Sequence, residues 1–154
     1  MTPIPRAALI LGLAGLIPFG WSVATLLSPT LADLGQSWLG PRFIGPYVGL
    51  QYGTIILAFM SGVLWGFATT GDGRTATLGY GLSVIPALWA FFFVGGGPET
   101  ATLTLSAGFG LLLGLDWLFW TYGLAPAWWM RLRVLLTGIV LMTLLAPLML
   151  GGIG

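Results

Sequence analysis

Five long apolar runs alternate with short polar breaks along this chain. The runs cover residues 7–27, 46–70, 75–94, 101–122 and 127–150. An α-helix needs roughly 20 predominantly apolar residues to cross a bilayer core, and each run supplies about that number. The pattern predicts an all-α polytopic membrane protein, with five transmembrane helices in one bundle and one domain over residues 1–154.

The run 46–70 is the centre of the pattern, because it stays uncharged for 25 residues. Stepping along it by four meets Thr54, Ala58, Gly62 and Gly66, a face of small side chains. Thr102, Ser106, Gly110 and Gly114 repeat that stepping in the fourth run, and Gly79, Ser83 and Ala87 do so in the third. Small faces let helix backbones approach closely, which drives association in lipid, where the hydrophobic effect between helices is missing. The expectation is that these stripes pack the bundle.

The breaks are readable residue by residue. The first run follows Arg6 and precedes Thr30-Leu31-Ala32, which gives it the look of a signal peptide. Its apolar length exceeds the roughly 7–15 residues of a signal core, so it is expected to be the first transmembrane helix, kinked near Pro18. The connection 28–45 is the longest and carries Asp33, Arg42, Trp38 and Phe43. A short amphipathic surface helix is expected over 31–39. Pro46 suits the first turn of the second helix, where its missing N–H costs little. Gly71-Asp72-Gly73-Arg74, Gly95-Gly96-Gly97-Pro98 and residues 123–126 read as turns, and Pro86 lies inside the third helix.

Composition sharpens the class. The 154 residues are 57% hydrophobic and 6% charged, far below the roughly 25% charge of a soluble domain. Cysteine, histidine and lysine are all missing. That removes thiolate chemistry, imidazole ligands and bases, and lysine Schiff bases. The net charge of +1 offers nothing to a nucleic acid. No metal cluster, phosphate loop, cofactor site or Ser/His/Asp set can be assembled, so the expectation is a protein that is not an enzyme and has no cofactor.

Arginine placement predicts the threading. With five spans, Arg6, Arg74, Arg131 and Arg133 fall on one side and Arg42 alone on the other. The positive-inside rule then puts the N-terminus in the cytoplasm and the C-terminus in the periplasm of a bacterial inner (cytoplasmic) membrane.

Asp116 is the acidic residue inside an apolar run. It lies about eight residues before the turn that joins the fourth and fifth helices, and Arg133 lies about eight after it, so both reach a depth on the order of 10 Å. A lone charge at a helix centre costs about 2.5–3.5 kcal/mol on insertion scales, so Asp116 is expected to meet Arg133, with Arg131 as the competitor. The plain reading is a latch across the hairpin. The functional reading is a proton or ligand site at the cytoplasmic end. Gln51 is expected to bond across a helix interface, and Ser61, Ser83, Thr54 and Thr102 to bond to backbone or to one another. Trp128 and Trp129 read as an interfacial anchor, with a headgroup or quinone contact as the alternative. The bulky stretch 89–93 is expected to face lipid or a partner.

The stretch from Tyr52 to Gly66, YGTIILAFMSGVLWG, resembles the signature YGA-x-ILSFLGG-x-x-WG. Ser83-Val84-Ile85-Pro86, Leu115-Asp116 and Leu132-Arg133-Val134-Leu135-Leu136-Thr137 extend the likeness, which spans about residues 46–145. The chain is thereby identified as similar to an uncharacterised family, a domain of unknown function shared with the mitochondrial transmembrane protein 69. Ala58 and Ser61 stand where that family often has serine and glycine. The resemblance implies a five-helix inner-membrane protein in which Tyr52, Gly62, Trp65 and Gly66 belong to the central motif. It brings no reaction and no catalytic residue.

Two classes of function follow. The first is an accessory or assembly subunit of a larger membrane complex, respiratory or photosynthetic, whose partners are the lipid bilayer and other membrane-protein subunits. The second is a small transporter, channel or lipid- or quinone-binding membrane protein that uses Asp116, Arg131 and Arg133. Where Asp116 points is expected to separate them: its pairing in a dry interface favours the first, while a solvated cavity holding Gln51 or Asp116 favours the second.

Overall fold

The computed structural model describes residues 3–151, and all regular structure among them is helical. Eight α-helices occur in the order α1 (Arg6–Ala14), α2 (Ile17–Leu27), α3 (Pro29–Leu39), α4 (Gly45–Ala68), α5 (Gly73–Ser83), α6 (Ile85–Phe93), α7 (Pro98–Thr121) and α8 (Trp129–Met149). They build five spans long and apolar enough to cross a membrane: Arg6–Leu27, Gly45–Ala68, Gly73–Phe93, Pro98–Thr121 and Trp129–Met149. The five-helix bundle read from the apolar runs is therefore the observed architecture.

Two of the spans are broken, both just ahead of a proline. Pro18 is the second residue of α2 and Pro86 the second of α6. Proline lacks an N–H and its ring clashes with the carbonyl four residues earlier, so the helix restarts there. The break at Pro86 is stitched from outside. In an unbroken helix the Ser83 carbonyl would accept from the Ala87 amide. Here the Ser61 hydroxyl from α4 donates to the Ser83 carbonyl and accepts from the Ala87 N–H. One side chain thus replaces the missing rung and ties α4 to both halves of the third span.

The long connection forms α3, as the amphipathic reading of 31–39 expects. The Ser28 hydroxyl caps it by accepting from the Leu31 amide over 3.4 Å. Gly35 allows α3 to lie against its neighbours, since a Cβ there would stand 2.8 Å from Ile44 Cγ2 and 3.1 Å from a Trp21 ring carbon. A short 3-10 turn, Pro41–Phe43, then leads into α4. The start of α4 has no side-chain cap of its own. It borrows one from α2: Gly45 N–H donates to Thr25 Oγ1 over 2.9 Å, and Ser22 Oγ donates to the Gly45 carbonyl over 2.7 Å. Orphan amides at a helix start are costly in an apolar medium, and this pairing across helices resolves one of them.

The core lies between α2, α4, α7 and α8, around Phe19, Leu57, Leu64, Leu105, Phe109, Leu112 and Phe119. The close approaches occur at Gly49, Gly53, Gly79 and Gly108. At Gly108 a Cβ would fall 2.7 Å from Leu57 Cδ2 and 2.8 Å from Trp89 Cδ1. The Trp89 ring is itself fixed, because its Nε1 donates to the Thr104 carbonyl over 2.8 Å. These contacts correct one expectation. Gly62, Gly66, Gly110 and Gly114 have open space where a Cβ would go. Ala58, Gly62 and Gly66 are exposed on the outer side of α4, so this stripe does not pack the bundle. The packing stripe of α4 is Gly49 and Gly53, one helix face away.

The two ends of the bundle separate cleanly. Thr70 Oγ1 donates to the Leu124 carbonyl over 3.4 Å, and Phe67 packs edge-on to Trp129 at 4.9 Å, so the second and fourth loops meet. Arg42, Tyr47 and Gly95 line a common groove at the opposite end, so the first and third loops meet there.

Candidate functional site

The hairpin of α7 and α8 carries the intramembrane charges. Gly123, at φ +72°, ends α7 in the left-handed region that glycine tolerates. Leu124 N–H then bonds to the Phe119 carbonyl over 3.0 Å and Gly123 N–H to the Trp120 carbonyl over 3.1 Å. This Schellman pattern closes the end of the helix and sends the chain back alongside it.

The reversal brings Asp116 against α8. Asp116 Oδ2 lies 2.6 Å from Arg133 Nε. Asp116 Oδ1 accepts from Trp129 Nε1 at 2.8 Å. Asp116 is 0% exposed and Arg133 is 5% exposed. The expected pairing is therefore present, and it is buried. Arg131 is exposed near the start of α8 and is not Asp116's partner. Trp129 is the member that sequence reasoning missed. Trp129 and Arg133 are four residues apart on α8 and so share a face, which is the signal that could have found it. The guanidinium carbon also lies 6.0 Å from the Trp129 ring centroid, at the outer limit of a cation–π contact.

Chemically, the arrangement holds a carboxylate with one donor on each oxygen. Breaking it would strand one charge in the bundle. It forms a clamp between α7 and α8, with one α8 contact on each carboxylate oxygen. One guanidinium nitrogen, Nη2, stays buried without a hydrogen-bond partner, as does the hydroxyl of Thr137 one turn further along α8.

The other named residues are dispersed. Gln51 is exposed and lines the open groove with Arg42 and Tyr47, so the expected interhelical setting for its amide is corrected: it sits on the outward side of α4. Tyr52 is half-buried, its ring edge-on to Phe19 at 5.3 Å. Trp65 is half-exposed, with its ring 4.8 Å from Tyr80. Gly62 and Gly66 lie on the outer face already described. Ser61, Ser83 and Thr54 bond to backbone carbonyls as expected, while the Thr102 hydroxyl is buried with no partner.

Comparison with known proteins agrees with this architecture. A family model described as "Protein of unknown function (DUF3429)" matches residues 4–149. Transmembrane protein 69 of Xenopus tropicalis is 34% identical over 150 residues, covering 94% of this chain and 54% of that protein. Transmembrane protein 69 of Mus musculus is 27% identical over 153 residues, covering 97% of this chain and 58% of that protein. The chain thus spans a little over half the length of these curated relatives. No solved structure matches it. A five-span helical membrane protein with this family match from end to end is a member of the DUF3429 family.

Proposed function

We propose that this protein is a non-catalytic integral membrane protein that serves as an accessory or assembly subunit of a larger respiratory or photosynthetic membrane complex. The carrying observation is the buried clamp. The Asp116 carboxylate, deep in the fourth span, is fully buried, and each of its oxygens accepts a donor from α8. Its geometry suits a structural latch. A transport path would instead call for a hydrated Asp116. The outward small face of α4 and the exposed rings of Phe91, Phe92 and Phe93 on α6 add surface that other membrane helices can use.

The reading includes an orientation. Arg74 and Arg131 lie in the opening turns of α5 and α8, beside the second and fourth loops, which meet at one end, while Arg42 lies at the other. The positive-inside rule assigns the end with more arginines to the cytoplasm, and the setting is a bacterial inner membrane.

The test is a tagged pull-down in mild detergent, resolved on a native gel. Co-migration at fixed stoichiometry with a larger complex supports the subunit reading. Migration alone, or only as copies of this chain, moves the weight to the second class, a small transporter, channel or lipid- or quinone-binding protein.

A further inference from the structure

A groove of 620 Å³ opens on the outside of the bundle at the Arg42 end. Along α4 it is lined by Tyr47, Leu50, Gln51 and Thr54, whose spacings of three and four put them on one helix face. Val94 and Gly95, beyond the end of α6, and Ala101 on α7 complete the lining. Gly95 is exposed, with open space where a Cβ would go, so the third loop leaves the groove accessible.

Arg42 stands at its rim, on the 3-10 turn that precedes α4. That turn is held in place. Trp21 Nε1 donates to the Phe43 carbonyl over 2.8 Å, and Gly45 N–H donates to Thr25 Oγ1 over 2.9 Å. The Arg42 guanidinium carbon lies 4.7 Å from the Phe43 ring centroid. No ion pair joins Arg42 to a carboxylate among the described residues, and its side chain is exposed. The groove therefore carries an unbalanced positive charge at its mouth.

Gln51 lies deeper. Counting from Gly45 at the start of α4, it sits on the order of 9 Å inside the span, at 1.5 Å per residue. It is exposed, and its amide has no hydrogen-bond partner among the described residues. Thr54 on the same face is already engaged, since its hydroxyl donates to the Leu50 carbonyl over 2.7 Å. An amide facing hydrocarbon without a partner is costly, so the partner has to come from outside the bundle. Tyr47, one turn nearer the mouth, is exposed and marks the headgroup level where tyrosines gather.

The two free groups differ in chemistry and in depth, and that difference selects the occupant. A guanidinium pairs with phosphate through two parallel charge-assisted hydrogen bonds. An amide NH2 beneath it donates to a neutral carbonyl. A free phosphate would leave Gln51 and the apolar Leu50 and Val94 unused, and a quinone would leave Arg42 unpaired. A phospholipid carries a phosphate at the membrane surface, an acyl ester just beneath it and a hydrocarbon chain below that. The single negative charge of a glycerol headgroup balances Arg42, whereas a choline headgroup brings a second cation back to the mouth.

We propose that this groove binds one anionic phospholipid, with its phosphate on Arg42, an acyl ester carbonyl on the Gln51 amide and a chain along Leu50 and Val94. The site stands whether or not the protein is an accessory subunit, since it concerns this chain's own residues.

The experiment is native mass spectrometry of the full purified chain in detergent, offered phosphatidylglycerol and phosphatidylcholine with matched acyl chains. One retained equivalent of phosphatidylglycerol is expected, with phosphatidylcholine retained less. Arg42→Gln should lower phosphatidylglycerol retention by about tenfold, the effect of one hydrogen bond to a charged group, and remove the preference. Gln51→Leu should lower retention of both lipids by about fivefold, the effect of one neutral hydrogen bond. Arg74→Gln makes the same change of charge at the other end and should leave retention as in the parent. All three positions are exposed, so the variants are expected to fold as the parent does. Equal retention of the two lipids by the parent overturns the proposal, as does parent-like retention in Arg42→Gln or Gln51→Leu. An equal loss in Arg74→Gln and Arg42→Gln also overturns it, because that marks a general attraction of anionic lipid to arginine.

Discussion

Trp129 donates its indole N–H to Asp116 Oδ1 over 2.8 Å, from the opposite arm of the helical hairpin. Arg133 holds the other carboxylate oxygen at 2.6 Å. Three side chains therefore fix one register between α7 and α8. Asp116→Asn removes the charge and strands Arg133, and removing one partner of a buried pair costs about 3–5 kcal/mol. Thermal unfolding in detergent should show that loss. Trp129→Phe should cost less, about 1.5 kcal/mol, because it removes one hydrogen bond to a charged group.

Ser61→Ala tests the stitch at the broken third span. It leaves the Ser83 carbonyl and the Ala87 amide without the hydroxyl that now serves both. A loss of about 1–2 kcal/mol is expected, within the range for buried groups left unpaired. Hydrogen exchange at the Ala87 amide is the local readout. It should quicken in the variant while amides at the middle of α7 stay protected.

Glycine positions divide by face. Gly108→Ala forces a methyl against Leu57 and the fixed Trp89 ring, and overpacking of this kind costs about 1–3 kcal/mol. Gly62→Leu meets open space and should leave the stability of the isolated bundle within about 0.5 kcal/mol of the parent. Melting curves of the two variants side by side would check the assignment.

This contrast shows what the chain discloses by itself. The spans were legible because hydropathy is a property of each segment alone. The Asp116–Arg133 pair was legible because depth in a hairpin follows from counting residues around a turn. The face of α4 that packs was not. In a bilayer the inward and outward sides of a helix are both apolar, so small residues at 49 and 53 cannot be ranked by sequence above those at 62 and 66. Trp129 was hidden for another reason. Its position at the start of α8 suits an interfacial anchor, and its bond to Asp116 depends on how the hairpin turns at Gly123.

Threading has its own check. A reporter fused after Gly154 should give a periplasmic signal, and a reporter at the N-terminus a cytoplasmic one. A cytoplasmic signal from the C-terminal fusion would reverse the arginine argument.

The most direct examination of the structural role of the charges is the double replacement Asp116→Leu with Arg133→Met, followed on a native gel and by thermal unfolding. Replacing a buried ion pair with apolar residues of similar volume is often neutral, or stabilising by about 1–4 kcal/mol. If the clamp is structural, the doubly substituted protein stays folded, recovers the stability that Asp116→Asn loses, and still enters the proposed larger complex with the parent's stoichiometry. A doubly substituted protein that is as stable as the parent yet absent from the complex would contradict that role and make the pair itself functional.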